Sequence, residues 1–386
     1  MRKLTINFIM GPFLPIPPIK GGGVEVYLYN IAKELSKRHN VRIYSRRYRP
    51  LKNCERINNL EIIRLGGFRK TRSHILDLLE EVLFAFYIFF NVKKADVTHF
   101  LNLKSFLLFL LNPRKGKSIV HLQVLFGGMT SKFLRFADML VPNSDYTMNY
   151  FKKRANIKNG KMVTVPNGVD VKQFKRGEGD DKVKRRYNLM DNKIVGYVGR
   201  ISREKGIQHL IGAFKIVRDK RDDVKLLLIG PYLDSEYGDF IYYSDLVSKI
   251  RDYRIEDDAI FTGVIKHEEL PPYYNACDIL SFPSDCEEPF GIVSIEALAC
   301  GKPVIVTDTG AFREIIRDGQ NGFIVPKKNP HAIAEKIMLL LDDEALRKSI
   351  SQAAAESAKY YSFESIAKRY EKLYEKKFIS RNNNQE

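Results

Sequence analysis

The chain is poor in cysteine. Its four, Cys54, Cys277, Cys286 and Cys300, form no C-x-x-C pair and have no histidines at finger spacing. That argues against a disulfide framework or a structural zinc site and fits a reducing compartment. Long apolar runs are missing too: the longest, Val82 to Phe90, is far short of the ~20 residues a spanning helix needs. The N-terminal stretch Leu4 to Met10 contains Thr5 and Asn7 and runs into Gly11-Pro12 with no small-residue cleavage site, so it reads as a first buried strand and not a signal peptide. A cytoplasmic protein is expected. No repeat of solenoid period and no low-complexity tract occurs.

What is present is ordinary globular composition: 386 residues, 44% apolar and 28% charged. At roughly 100–200 residues per domain, two domains are expected. The charge divides the chain. Residues 1–175 carry 31 Lys/Arg against 11 Asp/Glu, while the remainder carries 33 against 35. An excess confined to one domain points to an anionic partner for that domain, the plain alternative being a well-solvated basic surface.

Strand-like runs alternate with helical ones. Leu4 to Met10, Val41 to Ser45, Ile119 to Gln123, Met139 to Pro142 and Val163 to Val165 read as strands, as do Ile194 to Val198, Lys225 to Ile229, Ile260 to Thr262, Ile279 to Phe282 and Pro303 to Thr307. Glu25 to Lys37, Ile207 to Val217 and His331 to Leu341 read as helices. Such alternation builds parallel sheets with right-handed crossovers. The polar segment Phe174 to Asn192, with Gly177 and Gly179, marks a boundary. The expected organisation is a basic domain over 1–175, a linker over 176–192, a second domain over 193–362 and a C-terminal helix over 363–386. In doubly wound folds ligands sit beyond the carboxyl ends of the strands, so a two-domain version binds between its halves.

The strongest segment runs from Pro283 through Glu287-Glu288-Pro289-Phe290-Gly291-Ile292 to Glu296 and on to Gly301-Lys302-Pro303. A strand ends near Phe282 and a helix starts near Phe290. Exposed amides at a helix start, with the helix dipole, attract an anion. Gly291 removes a side chain that would hold a phosphate off the backbone. Glu296 is the only charge between Phe290 and Cys300; a lone carboxylate there needs a partner, either a neighbouring Lys or Arg or the hydroxyls of a ligand.

The pattern E-P-F-G-x4-E-A-L-A-x-G-x-P-V, with Glu288 and Glu296 eight apart, resembles the retaining glycosyltransferases of family 4, whose fold is GT-B. That resemblance implies two doubly wound, Rossmann-like parallel-sheet domains facing across a cleft, with a C-terminal helix crossing back. Gly199-Arg200 and Lys205-Gly206 resemble the family's G-R-x4-K-G, whose Arg and Lys clamp the nucleotide diphosphate; two cations there would neutralise a leaving phosphate. Gly21-Gly22-Gly23 resembles the G-G-x-E loop that approaches the donor, and Gly310, near Glu314, matches a loop around the donor sugar. It is not the G-x-G-x-x-G nicotinamide fingerprint, because the third position is Val26. Pro166-Asn167-Gly168-Val169-Asp170 is similar to the family's P-N-G-V-D and reads as a structural turn.

By that resemblance the reaction moves a hexose from a UDP- or GDP-linked donor to an acceptor hydroxyl with retention. Arg200 and Lys205 would hold the diphosphate with the amides near Phe290, Gly291 and Ile292, Glu288 the sugar hydroxyls and Glu296 the ribose. No cofactor is expected, and no Asp-x-Asp motif occurs, so metal independence is expected. Asn143, Ser144 and His121 are weak acceptor-side candidates, with His121 reading more readily as a satisfied strand residue. A family histidine near the acceptor is replaced by Val124, and another by Leu101.

The acceptor is expected to be a lipid-linked sugar or glycan precursor. The basic domain, with Arg42, Arg46, Arg47, Arg49 and Lys52 and with Lys152, Lys153 and Arg154, would meet an anionic membrane surface. The apolar stretches Val82 to Phe90 and Phe106 to Leu111 read as core helices. Alternatives are an epimerase or phosphorylase of the same fold, a silent sugar-nucleotide sensor, and a basic nucleic-acid-binding protein. The last lacks an aromatic platform or recognition module, so nucleic acid is not an expected partner.

Overall fold

The computed structural model describes all residues except 1, 20–21, 67–73, 102, 156, 158–159, 178–179, 233–239 and 380–386. Gly21, Gly179 and the tail 381–386, named above, lie outside the described residues. The chain divides into unit 1, Met1–Gly168 with Phe363–Glu386, and unit 2, Val169–Ser362.

Unit 1 is a seven-stranded sheet in the order β3-β4-β2-β1-β5-β6-β7, formed by β1 (Thr5–Ile9), β2 (Asn40–Arg46), β3 (Cys54–Ile57), β4 (Leu60–Leu65), β5 (Val97–Phe100), β6 (Lys117–Leu122) and β7 (Met139–Pro142). All its pairings are parallel except the β3–β4 hairpin. Between the strands run α1 (Gly23–Ser36), α2 (His74–Asn91), α3 (Leu103–Phe109), α4 (Met129–Lys132) and α5 (Asp145–Ala155).

Side chains alternate across a pleated sheet, so the strands supply two apolar layers. Ile43, Ile119 and Val141 face α1, joined there by Ile366, Tyr370 and Tyr374 of the chain's last helix. Tyr44, Val120 and Leu140 face Phe84 and Ile88 of α2, Phe106 and Phe109 of α3, and Phe151 of α5.

Unit 2 is a six-stranded, wholly parallel sheet in the order β10-β9-β8-β11-β12-β13. Its strands are β8 (Lys193–Val198), β9 (Val224–Ile229), β10 (Ala259–Gly263), β11 (Ile279–Phe282), β12 (Val304–Thr307) and β13 (Phe323–Val325). Its helices are α6 (Asp180–Arg186), α7 (Ile207–Arg218), α8 (Phe240–Asp252), α9 (Pro271–Ala276), α10 (Ile292–Ala299), α11 (Phe312–Ile315), α12 (Pro330–Asp342) and α13 (Glu344–Ala358), while α14 (Phe363–Tyr374) belongs to unit 1. The inner strands are buried on both faces, which is why they read as near-continuous apolar runs, while edge strand β10 is only partly buried. Parallel pairing also brings the segments leaving β8, β11 and β12 out at one edge of the sheet.

Three expectations change. The division falls at Gly168/Val169, and residues 176–192 hold α6, whose polar face carries Lys184–Asp180 and Arg185–Asp181 pairs while Val183 is buried. A polar stretch with one inward residue per turn is a surface helix as readily as a linker. Val163 to Val165 is no strand: it runs along the outer edge of β7 through Val163 N–Leu140 O (3.1 Å) and Val165 N–Pro142 O (3.0 Å) and then meets Pro166. Finally, the run Val82 to Phe90 is only half core. Phe84 and Ile88 are buried, but Leu83, Phe86, Tyr87 and Phe90 are exposed.

Candidate functional site

The site is built in unit 2 from three loops at the carboxyl edge. Leaving β8, Gly199-Arg200 leads to a 3-10 turn at Arg203–Lys205. Gly206 then takes a left-handed φ of 68°, and a Cβ there would lie 2.0 Å from Pro283 O, so only glycine lets this turn approach the β11 loop. The two loops are stitched by Asp285 N and Cys286 N donating to Glu204 O, at 2.9 and 3.2 Å. The third loop, Thr307 to Ala311, is tied on by Thr307 Oγ1 to Ser284 O (2.7 Å), Thr309 Oγ1 to Cys286 O (2.8 Å) and Ala311 N to Glu288 O (2.9 Å). At Gly310, φ 51°, a Cβ would sit 2.1 Å from Glu288 O.

This frame fixes Glu288, which is 7% exposed. Its Oε1 accepts from Lys205 Nζ at 2.6 Å and from Ser284 Oγ at 2.6 Å. A buried carboxylate is tolerated here because a cation and a hydroxyl answer it. Arg200 does not join them. Its guanidinium is half-exposed and pairs with Glu204 Oε1 at 3.3 Å, while its carbonyl accepts from Tyr197 OH. Neighbouring Glu287 accepts from Gly310 N (3.0 Å) and Lys327 Nζ (2.7 Å).

Gly291 caps the start of α10 with φ 91°, and the Phe312 ring occupies the space a Cβ would need, 2.4 Å away. The glycine is thus required by backbone and packing as well as by any anion approaching the helix start. Phe290 is buried with its ring toward Tyr361, and Ile292 opens the helix.

Glu296, on α10, is 4% exposed. Its partner is neither Lys nor Arg: His267 Nε2 lies 2.7 Å from Oε1 and Tyr274 OH donates to Oε2 at 2.7 Å. The His267 ring packs against Phe174, 5.1 Å between centroids. Burial pushes the imidazole pKa down, but the charge and hydrogen bond of Glu296, with the fields of Asp170 and Glu268, outweigh it and leave the value raised. His267 and Tyr274 carried no sequence signal, since they reach Glu296 from 29 and 22 positions away. Ser284 stood inside the quoted motif and could have been found there.

The remaining candidates lie in unit 1. Gly22 precedes α1 with φ 93° and accepts from Val26 N at 2.9 Å, with the Glu25 carboxyl beside it; Gly23 is the first residue of the helix. Asn143, at the end of β7, is buried and donates to Gln123 O and Oε1 at 3.3 and 3.2 Å. Ser144 Oγ accepts from Thr147 N at 3.0 Å and so caps α5.

His121 is a correction. It is 4% exposed, its Nε2 lies 2.8 Å from His99 Nδ1, and its ring faces Tyr27 and Tyr370. Beneath α1 and α14 it is closed to an acceptor. His99 Nε2 continues to Tyr374 OH at 2.8 Å. Burial depresses both imidazoles, His121 to about 3.

The chain resembles known proteins along nearly its whole length. Residues 180–357 match the glycosyl transferases group 1 model and residues 21–173 the glycosyltransferase family 4 model. The chain belongs to the group 1 glycosyltransferases of family 4, with the two-unit GT-B fold. It is 25% identical to spore coat protein SA of Bacillus subtilis, covering 97% of this chain and 100% of that one. It is 26% identical to the lipopolysaccharide 1,2-N-acetylglucosaminetransferase of Salmonella typhimurium, over 95% and 97%. Among solved structures, sucrose-phosphate synthase of Thermosynechococcus elongatus superposes with a TM-score of 0.81 at 24% identity, over 98% and 100% of the chains. Anabaena HepE, solved with UDP and glucose, gives 0.77 at 21%, over 96% and 99%.

Proposed function

We propose that this glycosyltransferase transfers a hexose from a nucleoside-diphosphate sugar to a glycan or lipid-linked glycan precursor, with retention at the anomeric carbon and without a metal. The observation that carries it is the Lys205–Glu288 pair, 2.6 Å apart, one turn from the start of α10. The ammonium supplies positive charge where a diphosphate departs, and the helix start adds amides that need no reorganisation. Arg200, free to swing from its solvent-side pairing with Glu204, adds a second cation when an anion arrives. Glu288 orients sugar hydroxyls. Glu296, held by two donors, keeps further lone pairs for the ribose hydroxyls. Catalysis is then positioning and charge stabilisation, with the departing diphosphate taking the acceptor proton.

Two relatives' names support the donor and acceptor classes: HepE was solved with UDP-glucose, and the Salmonella enzyme acts on lipopolysaccharide. The absence of an Asp-x-Asp pair from the sequence supports metal independence.

A thermal-shift panel of UDP-, GDP- and ADP-sugars tests the donor, since a ligand that binds the native state raises Tm. One base should stabilise; a flat panel sinks the proposal. Product anomer by NMR, and turnover in EDTA, test retention and metal independence.

A further inference from the structure

Helix α2 is apolar in two directions. Phe84, Ala85 and Ile88 turn inward to the sheet. Ile75, Leu79, Leu83, Phe86 and Phe90 follow one another at i+4, i+4, i+3 and i+4, one continuous stripe on a helix surface, and each is at least 40% exposed. The helix's own charges lie off that stripe: Glu81 pairs with Lys104 of α3, and Asp77 and Glu80 are partly buried. Soluble surfaces seldom leave so long an apolar strip to water.

Cations stand at its C-terminal end. Lys94, exposed, follows the helix beside Lys93, whose ammonium pairs with Glu61 at 2.9 Å. Asn112 Nδ2 donates to Phe89 O at 2.9 Å, bringing exposed Arg114 and the 85%-exposed Leu111 to the same end.

We infer that this outward face of α2 is the surface by which the protein lies on an anionic lipid bilayer, apolar residues in the acyl boundary and Lys94 and Arg114 among the headgroups. An interfacial helix combines these features. With 18 residues and three carboxylates α2 does not cross the bilayer, and no described helix is long and apolar enough to do so. A second copy of the chain fits less well: unit 1 holds 35 Lys/Arg against 14 Asp/Glu, so two copies meeting here set like charge against like, whereas anionic headgroups neutralise it. The inference rests on the proposed function only for its purpose, bringing the enzyme to a lipid-linked acceptor.

The chain has no tryptophan, so Phe90→Trp installs a single fluorophore with little disturbance. Its emission should shift to the blue and be quenched by brominated lipid on vesicles of phosphatidylglycerol and phosphatidylcholine, and not on phosphatidylcholine alone. Ile241→Trp, on the exposed side of α8, should not respond. The pair Leu79→Glu and Phe86→Glu should lower co-sedimentation with the anionic vesicles at least about tenfold, with Tm and turnover of a soluble acceptor unchanged. An unresponsive Phe90→Trp, vesicle binding equal to wild type in the Glu pair, or a dimer in solution that the Glu pair dissolves would overturn the inference. Vesicle binding without any sugar-nucleotide turnover leaves docking intact and removes the proposed reaction, so the two failures are separable.

Discussion

His267 in unit 2 is partly buried, and His99 with His121 in unit 1 are buried, yet their pKa values lie on opposite sides of the usual imidazole value. His267 lies 2.7 Å from a carboxylate and its pKa is raised; His99 and His121 have only each other and tyrosine hydroxyls, and theirs are depressed. Burial alone disfavours charge, and a charged partner reverses the sign. The contrast extends to the units themselves. Unit 2 sets two partnered carboxylates, Glu288 with Lys205 and Glu296 with His267, at the candidate site. Unit 1 buries a neutral ring network that pins α14 to the sheet, and its one fully buried cation among the described residues, Arg64, is answered by Glu55 and by the Ile16 carbonyl.

The sharpest way to break this contrast is to remove charge from unit 2's edge. Glu288→Gln should lower kcat by about 10²–10³, read as nucleoside diphosphate release, because one preorganised polar group at a reacting centre is worth that much. His121→Leu, by contrast, should leave kcat within about twofold below its melting temperature. Equal losses in both would erase the distinction.

Acid titration comes next. The folded chain keeps His99 and His121 neutral while the unfolded chain protonates them below pH ~6.5. Stability should therefore be full above that pH and fall as pH drops toward 3, by at most about 1.4 kcal/mol per pH unit for each ring. Urea melts at pH 7, 6 and 5 check this; a flat profile sinks the assignment.

Gly310→Ala should cost about 2–3 kcal/mol, since it adds both a left-handed non-glycine residue and a clash with Glu288 O. Thermal melts should show the fall, with donor binding lost in step.

Smaller effects should follow at His267 and Ser284. His267 carries the opposite sign: its charge contributes in full below pH ~6.5 and is lost as pH rises through the raised value. His267→Gln should raise KM for the donor about fivefold, leave kcat nearly unchanged and flatten the KM–pH profile above neutrality. Ser284→Ala, which removes one hydroxyl from Glu288, should cost about 1 kcal/mol of donor affinity by calorimetry.

Much of this was legible along the chain because it is local. The inner strands of unit 2 read as apolar runs since both their faces are buried, and Glu288, Lys205 and Gly291 sit in loops whose turn chemistry is written in adjacent residues. Of the β3–β4 hairpin, β3 went unread because it is short, exposed and at the sheet's margin, and β4 because only every second residue of it is buried. His267 and Tyr274 went unread because their role exists only where the chain returns to Glu296. The apolar run in α2 misled because hydrophobicity does not reveal which side of a helix the core covers.

Sequence alone determined the alternation of elements, the charge imbalance between the two ends of the chain and the loop residues that can bind an anion, since each depends on neighbours a few positions apart. Tertiary structure decided what answers each buried charge, which histidine stays neutral and which face of α2 meets the outside. Those are matters of distance across the fold, and a pKa or a packed face is set by whatever lies within a few ångströms, however far along the chain it began.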